Sequence, residues 1–256
     1  MILGILVFLF ALQNPEVDIP ETFHPQQVFN RANYVMDQGR VEEAMESYRL
    51  ILESGYESGP LHLNLALGYL RKDSLGLAVY HLKLSSQFPE TRQRADQSFQ
   101  VVESHLQSRR GTLAVLPLYA FETWLRSDIG AQKIFVLGIF FLNFAAAFFA
   151  WLLLQGNSKK IISYLALVSL ILSIPLLISG SYLHLTSEGY AKAIVISREA
   201  TIYEDYDTTS EPVGLAYEGF PVTLNQNYKP NYPGWVFVRM SNGLSGWVQH
   251  NHLRTL

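Results

Sequence analysis

The 256-residue chain contains no cysteine. Disulfides, zinc–thiolate sites and cysteine nucleophiles are therefore excluded from it. Charge is scarce as well: Asp, Glu, Lys and Arg make up 16% of the residues, against about 25% in ordinary soluble domains. The net charge is −3 and no basic stripe is present, which argues against nucleic acid as a partner. The seven histidines are scattered, and H-E-x-x-H, G-x-S-x-G and phosphate-binding glycine loops are all missing. No catalytic, cofactor-binding or metal-ligating set is expected. His250-Asn251-His252 presents two imidazoles that could meet a metal, but it reads as a turn rather than as a site. Glu204, Asp205 and Asp207 read as a solvated acidic loop, with a cation or a basic partner as the alternative.

The missing charge is concentrated in two runs. Residues 134–154, IFVLGIFFLNFAAAFFAWLLL, and 161–183, IISYLALVSLILSIPLLISGSYL, contain no Asp, Glu, Lys, Arg or His. At about 1.5 Å rise per residue, a helix of either length spans the roughly 30 Å hydrocarbon core of a bilayer. Buried helices of a large soluble core are the alternative. The connecting segment, QGNSKK, permits only a direct return, so a transmembrane hairpin is expected, with both flanking segments on one side of the membrane. Lys159 and Lys160, in a connection without acid, favour a cytoplasmic tip. Ala146 with Ala150, and Ser169 with Ser173, are small-x-x-x-small pairs that allow close helix approach. Asn143 is expected to bond across the hairpin or to a partner's helix. Without an ionisable residue in either run, ion or proton transport is not expected.

Residues 2–12, ILGILVFLFAL, are too few to span a bilayer comfortably. Two readings of segment 1–20 stand: an export signal or a retained anchor. Residues 113–130 mix aromatics with few charges. They predict a linker helix on the membrane surface with Tyr119 and Trp124 as anchors, or one packed against the preceding helices.

Residues 25–110 repeat at a period of 34: Ala32 returns as Ala66, Val35 as Tyr69, Ala44 as Ala78 and Tyr48 as Leu82. Paired helices at this period are the tetratricopeptide signature. Ala32, Ala44, Ala66 and Ala78 mark close helix crossings, and Tyr48 and Tyr69 fill the space around them. Gly39 is the turn residue of the first unit, replaced by Asp73 in the second. A stripe at Ala95, Phe99, Val102 and Leu106 predicts a terminal capping helix.

From residue 191 the pattern shortens to β: AKAIVIS, ATIYE, PVTLN, WVFVRM and GWVQ, five or so strands separated by turn residues. Asn242-Gly243 predicts a two-residue hairpin. Tyr206, Tyr228 and Tyr232, with Trp235 and Trp247, are the candidate partner-binding aromatics. The order of AIV, Glu218-Gly219, Gly234-Trp235-Val236, Asn242-Gly243, Gly246-Trp247-Val248 and Leu253 resembles a bacterial SH3 domain over 191–256. Its loop TIYEDYDTTSEP departs from that pattern.

Taken together, the fold class expected is a multidomain membrane protein. It joins α-helical tetratricopeptide repeats, a two-helix transmembrane hairpin and a small C-terminal SH3-like β-barrel. In this order the modules resemble the E-type proteins of the bacterial aerotolerance (Bat) operon. That resemblance implies a membrane-anchored member of a bacterial envelope assembly, and the export-signal reading together with Lys159 and Lys160 favours a multi-pass inner-membrane protein with both soluble modules facing the periplasm or exterior. It implies other envelope proteins as partners, namely von Willebrand factor A-domain membrane proteins and a MoxR-type ATPase system. Peptidoglycan is the alternative ligand. No cofactor is implied.

Overall fold

The 34-residue step in the sequence returns in three dimensions as a repeated turn. In the computed structural model, which describes residues 24–110, 114–125, 129–155, 160–187, 189–225 and 233–256, helix α1 (Pro25–Asp37) turns back into α2 (Val41–Glu53). Helix α3 (Gly59–Arg71) turns into α4 (Leu75–Ser85) in the same way. Gly39 takes φ +80° and Asp73 φ +57° at equivalent places. The Arg40 N–H donates to the Val35 carbonyl at 3.2 Å, and the Ser74 N–H to the Tyr69 carbonyl at 3.0 Å. Each turn thus satisfies helix-end carbonyls through a left-handed residue. Glycine adopts that conformation freely, and Asp is among the few other residues that visit it routinely. Segment 1–20, Lys159, Tyr228 and Tyr232 lie outside the described residues.

Ala32, Ala44, Ala66 and Ala78 are completely buried, and so is Tyr48, whereas Tyr69 is half-buried. Helix α5 (Arg92–Arg110) packs on α4 through buried Ala95, Val102 and Leu106. The Lys83 ammonium lies 3.8 Å from the centroid of the Phe99 ring. Arg109 grips the Asp73 carboxylate with both terminal nitrogens, at 2.7 and 3.1 Å. These five helices form one compact unit, which ends at Arg110.

The second unit begins at Gly111 and contains a short helix, a helical hairpin and a sheet. Helices α7 (Ala131–Gln155) and α8 (Lys160–Ser187) are each long and apolar enough to cross a membrane, and α8 runs unbroken through Pro175. Their seam corrects the expected spacing on the first helix. Gly138 and Gly180 sit in it: a Cβ on Gly180 would stand 2.8 Å from the Phe135 nitrogen, and one on Gly138 would stand 2.9 Å from Leu177 Cγ. Ile134 and Ala145 are buried on α7, as are Ser169, Ser173 and Leu183 on α8. Ala146 only lines an opening beside the seam, and Ala150 is exposed. The reason is rotational, since one position along a helix turns a side chain by about 100°. Asn143 is also turned outward, donating to the Ile139 carbonyl of its own helix at 2.8 Å, so it does not bridge the hairpin.

The chain then forms a seven-stranded antiparallel sheet in the order β3-β2-β6-β5-β4-β1-β7. The strands are β1 (Tyr190–Val195), β2 (Glu199–Tyr203), β3 (Pro212–Tyr217), β4 (Pro221–Asn225), β5 (Trp235–Met240), β6 (Ser245–Gln249) and β7 (Leu253–Thr255). Strands β3 and β7 exceed the five or so expected. Strand β3 opens on Pro and contains Gly214, and β7 has three residues, so neither announces itself by composition. The β5–β6 turn also differs. The Met240 N–H donates to the Leu244 carbonyl and the Gly243 N–H to Met240, enclosing three residues with Gly243 at φ +88°. This is a type I turn closed by a left-handed glycine. Alternate residues Val222, Leu224, Val238, Met240 and Val248 join Ala193, Val195, Ile202 and Phe220 in the core.

Helix α6 (Pro117–Trp124) touches one end of this sheet. The Leu116 N–H donates to the Ser241 carbonyl at 3.0 Å, and the Tyr119 hydroxyl bonds the Thr223 hydroxyl at 3.0 Å. The Arg239 guanidinium sits 5.7 Å from the Tyr119 ring centroid.

Candidate functional site

Strand alternation builds the main candidate surface. Along WVFVRM, Val238 and Met240 enter the core, which turns Trp235, Phe237 and Arg239 to the opposite face. Cross-strand register brings Trp247 opposite both Phe237 and Tyr203. The rings then interlock edge to face. Trp247 contacts Phe237 at 5.4 Å and 78°, and Tyr206 at 5.6 Å and 84°. Tyr203 meets Trp235 at 5.7 Å and 79°. Edge-to-face pairs of this kind are each worth about 0.5–1.5 kcal/mol beyond area burial. Trp247 is nearly buried, while Tyr203, Tyr206, Trp235 and Phe237 are half-exposed.

The acidic loop beside these rings is ordered by its own side chains. Asp207 accepts from the Thr209 N–H at 3.0 Å and the Thr209 hydroxyl at 2.8 Å, which holds its carboxyl below the usual range. Asp205 accepts from the Tyr206 N–H at 2.8 Å. A hollow of about 540 Å³ opens between this loop and β3, lined by Thr201, Tyr203, Thr208, Ser210 and Val213 among others. Its walls combine an aromatic edge with hydroxyls.

Of the sequence candidates, Tyr206, Trp235 and Trp247 are brought together, and Tyr228 and Tyr232 fall outside the described residues. Tyr203 and Phe237 were not singled out as site residues. The two-residue alternation in WVFVRM carries the signal for Phe237, whereas Tyr203 joins only through its pairing with Trp247. His250 and His252 are not a paired site: they form a 3₁₀ turn, and the His252 Nδ1 bonds the Ser197 hydroxyl at 2.7 Å. Among the described residues, no group of three or more His, Cys, Asp or Glu is placed to hold a metal ion.

No protein-family model and no curated protein matches this chain. Its surfaces must be read from their own chemistry.

The helical unit offers a second, more polar surface. Tyr48 Oη donates to Asn33 Oδ1 at 2.7 Å, and Asn64 Nδ2 donates to the same oxygen at 2.7 Å. Burial raises the Tyr48 hydroxyl pKa, partly offset by the amide of Asn64. Three helices thereby fix two side-chain amides, and Asn33 Nδ2 and Asn64 Oδ1 take no part in this network. Beside it, a chain of rings links α2, α3 and α4. Arg49 donates to the Tyr69 hydroxyl at 3.3 Å, Tyr69 stacks on His81 at 5.3 Å and 9°, and His62 bonds Glu57 at 2.7 Å. These residues lock the helices together.

Proposed function

We propose that this chain is a non-enzymatic, membrane-anchored scaffold of a bacterial envelope complex, similar to the E-type proteins of the aerotolerance (Bat) operon. On this reading the five-helix unit is a pair of tetratricopeptide repeats with a cap, and the seven-stranded unit is a bacterial SH3-like barrel. The α7–α8 hairpin spans the inner membrane with its tip in the cytoplasm, and both soluble modules face the periplasm or exterior. Their partners are envelope proteins, with von Willebrand factor A-domain membrane proteins and a MoxR-type ATPase system the first to test.

One observation carries the reading. The half-exposed rings of Tyr203, Tyr206, Trp235 and Phe237 gather on the face of the sheet opposite its core, where folding alone does not require them. Rings in such clusters supply large contact area at low entropic cost. Capture of the full-length protein from gently solubilised membranes tests it. Envelope proteins should co-purify, and Trp235→Ala with Tyr206→Ala should reduce their yield. Equal recovery with both variants would count against this surface, and a reporter after residue 256 that works only in the cytoplasm would invert the topology.

The hollow beside Tyr203 favours a second reading, cell-wall binding, because hydroxyl-bearing walls next to an aromatic edge suit a glycan or muropeptide. Titrating the detergent-solubilised protein with peptidoglycan fragments separates the two. No binding at millimolar ligand removes this second reading.

A further inference from the structure

Helix α6 has two chemically different sides. Tyr119 and Glu122 are half-buried, and Tyr119 holds Thr223 and Arg239 of the sheet. The other side carries Leu118, Phe121 and Trp124, which are 83%, 57% and 49% exposed, with the Phe121 and Trp124 rings 6.0 Å apart. Three large apolar side chains on an eight-residue helix, uncovered by the domain that grips the helix from behind, need an occupant.

The chain itself names the occupant. Six residues separate Trp124 from Ala131, where α7 begins, and two separate Ser187 of α8 from Tyr190 of β1. A fully extended residue covers at most about 3.6 Å, so both tethers hold the sheet and α6 within roughly 25 Å of the helix ends. If α7 and α8 span a bilayer, this apolar side lies where headgroups meet acyl chains. Lys133 lies in the first turn of α7, Lys192 of β1 stands opposite Thr223 of β4, which bonds Tyr119, and the Arg239 guanidinium lies over the Tyr119 ring, so cations for anionic headgroups are at hand in the same unit. Aromatic and leucine side chains above, with cations beside them, are the composition of an interfacial helix.

We propose that the Leu118–Phe121–Trp124 face is a membrane foot, seated in an anionic lipid surface, which clamps the β-sheet domain to the bilayer through Tyr119. This rests on the membrane-spanning reading of α7 and α8. It goes beyond anchoring, because the aromatic surface is then held at one height and tilt, beside the lipid, and its partner must reach it there.

The lack of cysteine makes the test direct. Leu118→Cys, Phe121→Cys, Ala147→Cys in the middle of α7 and Thr209→Cys in the acidic loop each receive an environment-sensitive fluorophore. The full chain is reconstituted in phosphatidylethanolamine–phosphatidylglycerol vesicles. Labels at 118 and 121 should shift to the blue and lose intensity to a shallow lipid-borne nitroxide. The label at 147 should respond to a deep nitroxide, and that at 209 only to aqueous iodide. Iodide quenching at 118 and 121 with a lipid response at 147 overturns the foot and leaves the membrane reading standing. Iodide quenching at 147 removes both. Labels at 118 and 121 shielded from lipid and water alike would mean that protein covers this face, which also overturns the foot.

Discussion

The Nδ1 atoms of His62 and His81 stand 3.1 Å apart inside the helical unit, with their rings stacked at 5.3 Å. Glu57, at 2.7 Å from His62 Nε2, can only accept when ionised, so that nitrogen carries the hydrogen. In the neutral ring the Nδ1 of His62 must then accept, and His81 Nδ1 donates to it. The tautomers of both rings follow from one carboxylate.

A pH dependence follows from His81. Burial, then the neighbouring His62 and Arg49, push its pKa from 6.5 down to about 3. Between those values the unfolded chain binds a proton that the folded chain does not, so stability rises with pH across this window. The stability is complete above about pH 6.5 and is lost as pH falls towards 3, by an amount on the order of a few kcal/mol. Relative to the intrinsic amide rate, which itself falls from pH 7 to pH 4, hydrogen exchange in α3 and α4 should show an excess at the lower pH. In His81→Phe, which retains a ring against Tyr69, that excess should disappear.

Asp73 is the one described non-glycine residue at positive φ, and it is also the carboxylate held by Arg109. Asp73→Ala should cost about 1–2 kcal/mol, because an alanine Cβ pays the left-handed penalty without compensation. Asp73→Gly should be close to neutral: it relieves φ while losing a half-exposed ion pair worth under about 1 kcal/mol. Thermal unfolding of the two variants side by side checks the order, and an equal loss would assign the cost to the ion pair.

Tyr48→Phe removes one donor to Asn33 Oδ1, which Asn64 still satisfies, so the loss should be about 1 kcal/mol. Tyr48→Ala empties a fully buried ring site and should cost about 3–5 kcal/mol. Protection of α1 and α2 amides in hydrogen exchange reads both.

In the hairpin, Gly180→Ala should loosen packing, since its Cβ meets the Phe135 backbone, whereas Ala150→Val on an exposed face should not. Pairs of introduced cysteines across α7 and α8 should cross-link more slowly in the first variant only. Equal rates in both would move the seam.

Much of the helical unit was legible beforehand. Alanines at 34-residue spacing, Gly39 and its Asp73 counterpart mark local geometry, and local geometry repeats with sequence. The hairpin was legible as two uncharged runs, but its seam was not. Ala146–Ala150 and Gly138 are both plausible small-residue contacts, and only the rotation of α7 against α8 chooses Gly138 and Ala145.

The aromatic surface divides in the same way. The alternation of WVFVRM by itself determines that Trp235 and Phe237 share one side, because a strand turns successive side chains to opposite faces. That Tyr203 and Tyr206 join them was decided by tertiary structure, since β2 reaches β6 only through the order of the sheet. The same holds for α6. Composition determined that it would be an aromatic helix before a long apolar one, and only folding decided that Tyr119 turns to the sheet and leaves Leu118, Phe121 and Trp124 uncovered. Local periodicity is written in neighbouring residues, whereas contacts between distant segments depend on how every intervening element packs.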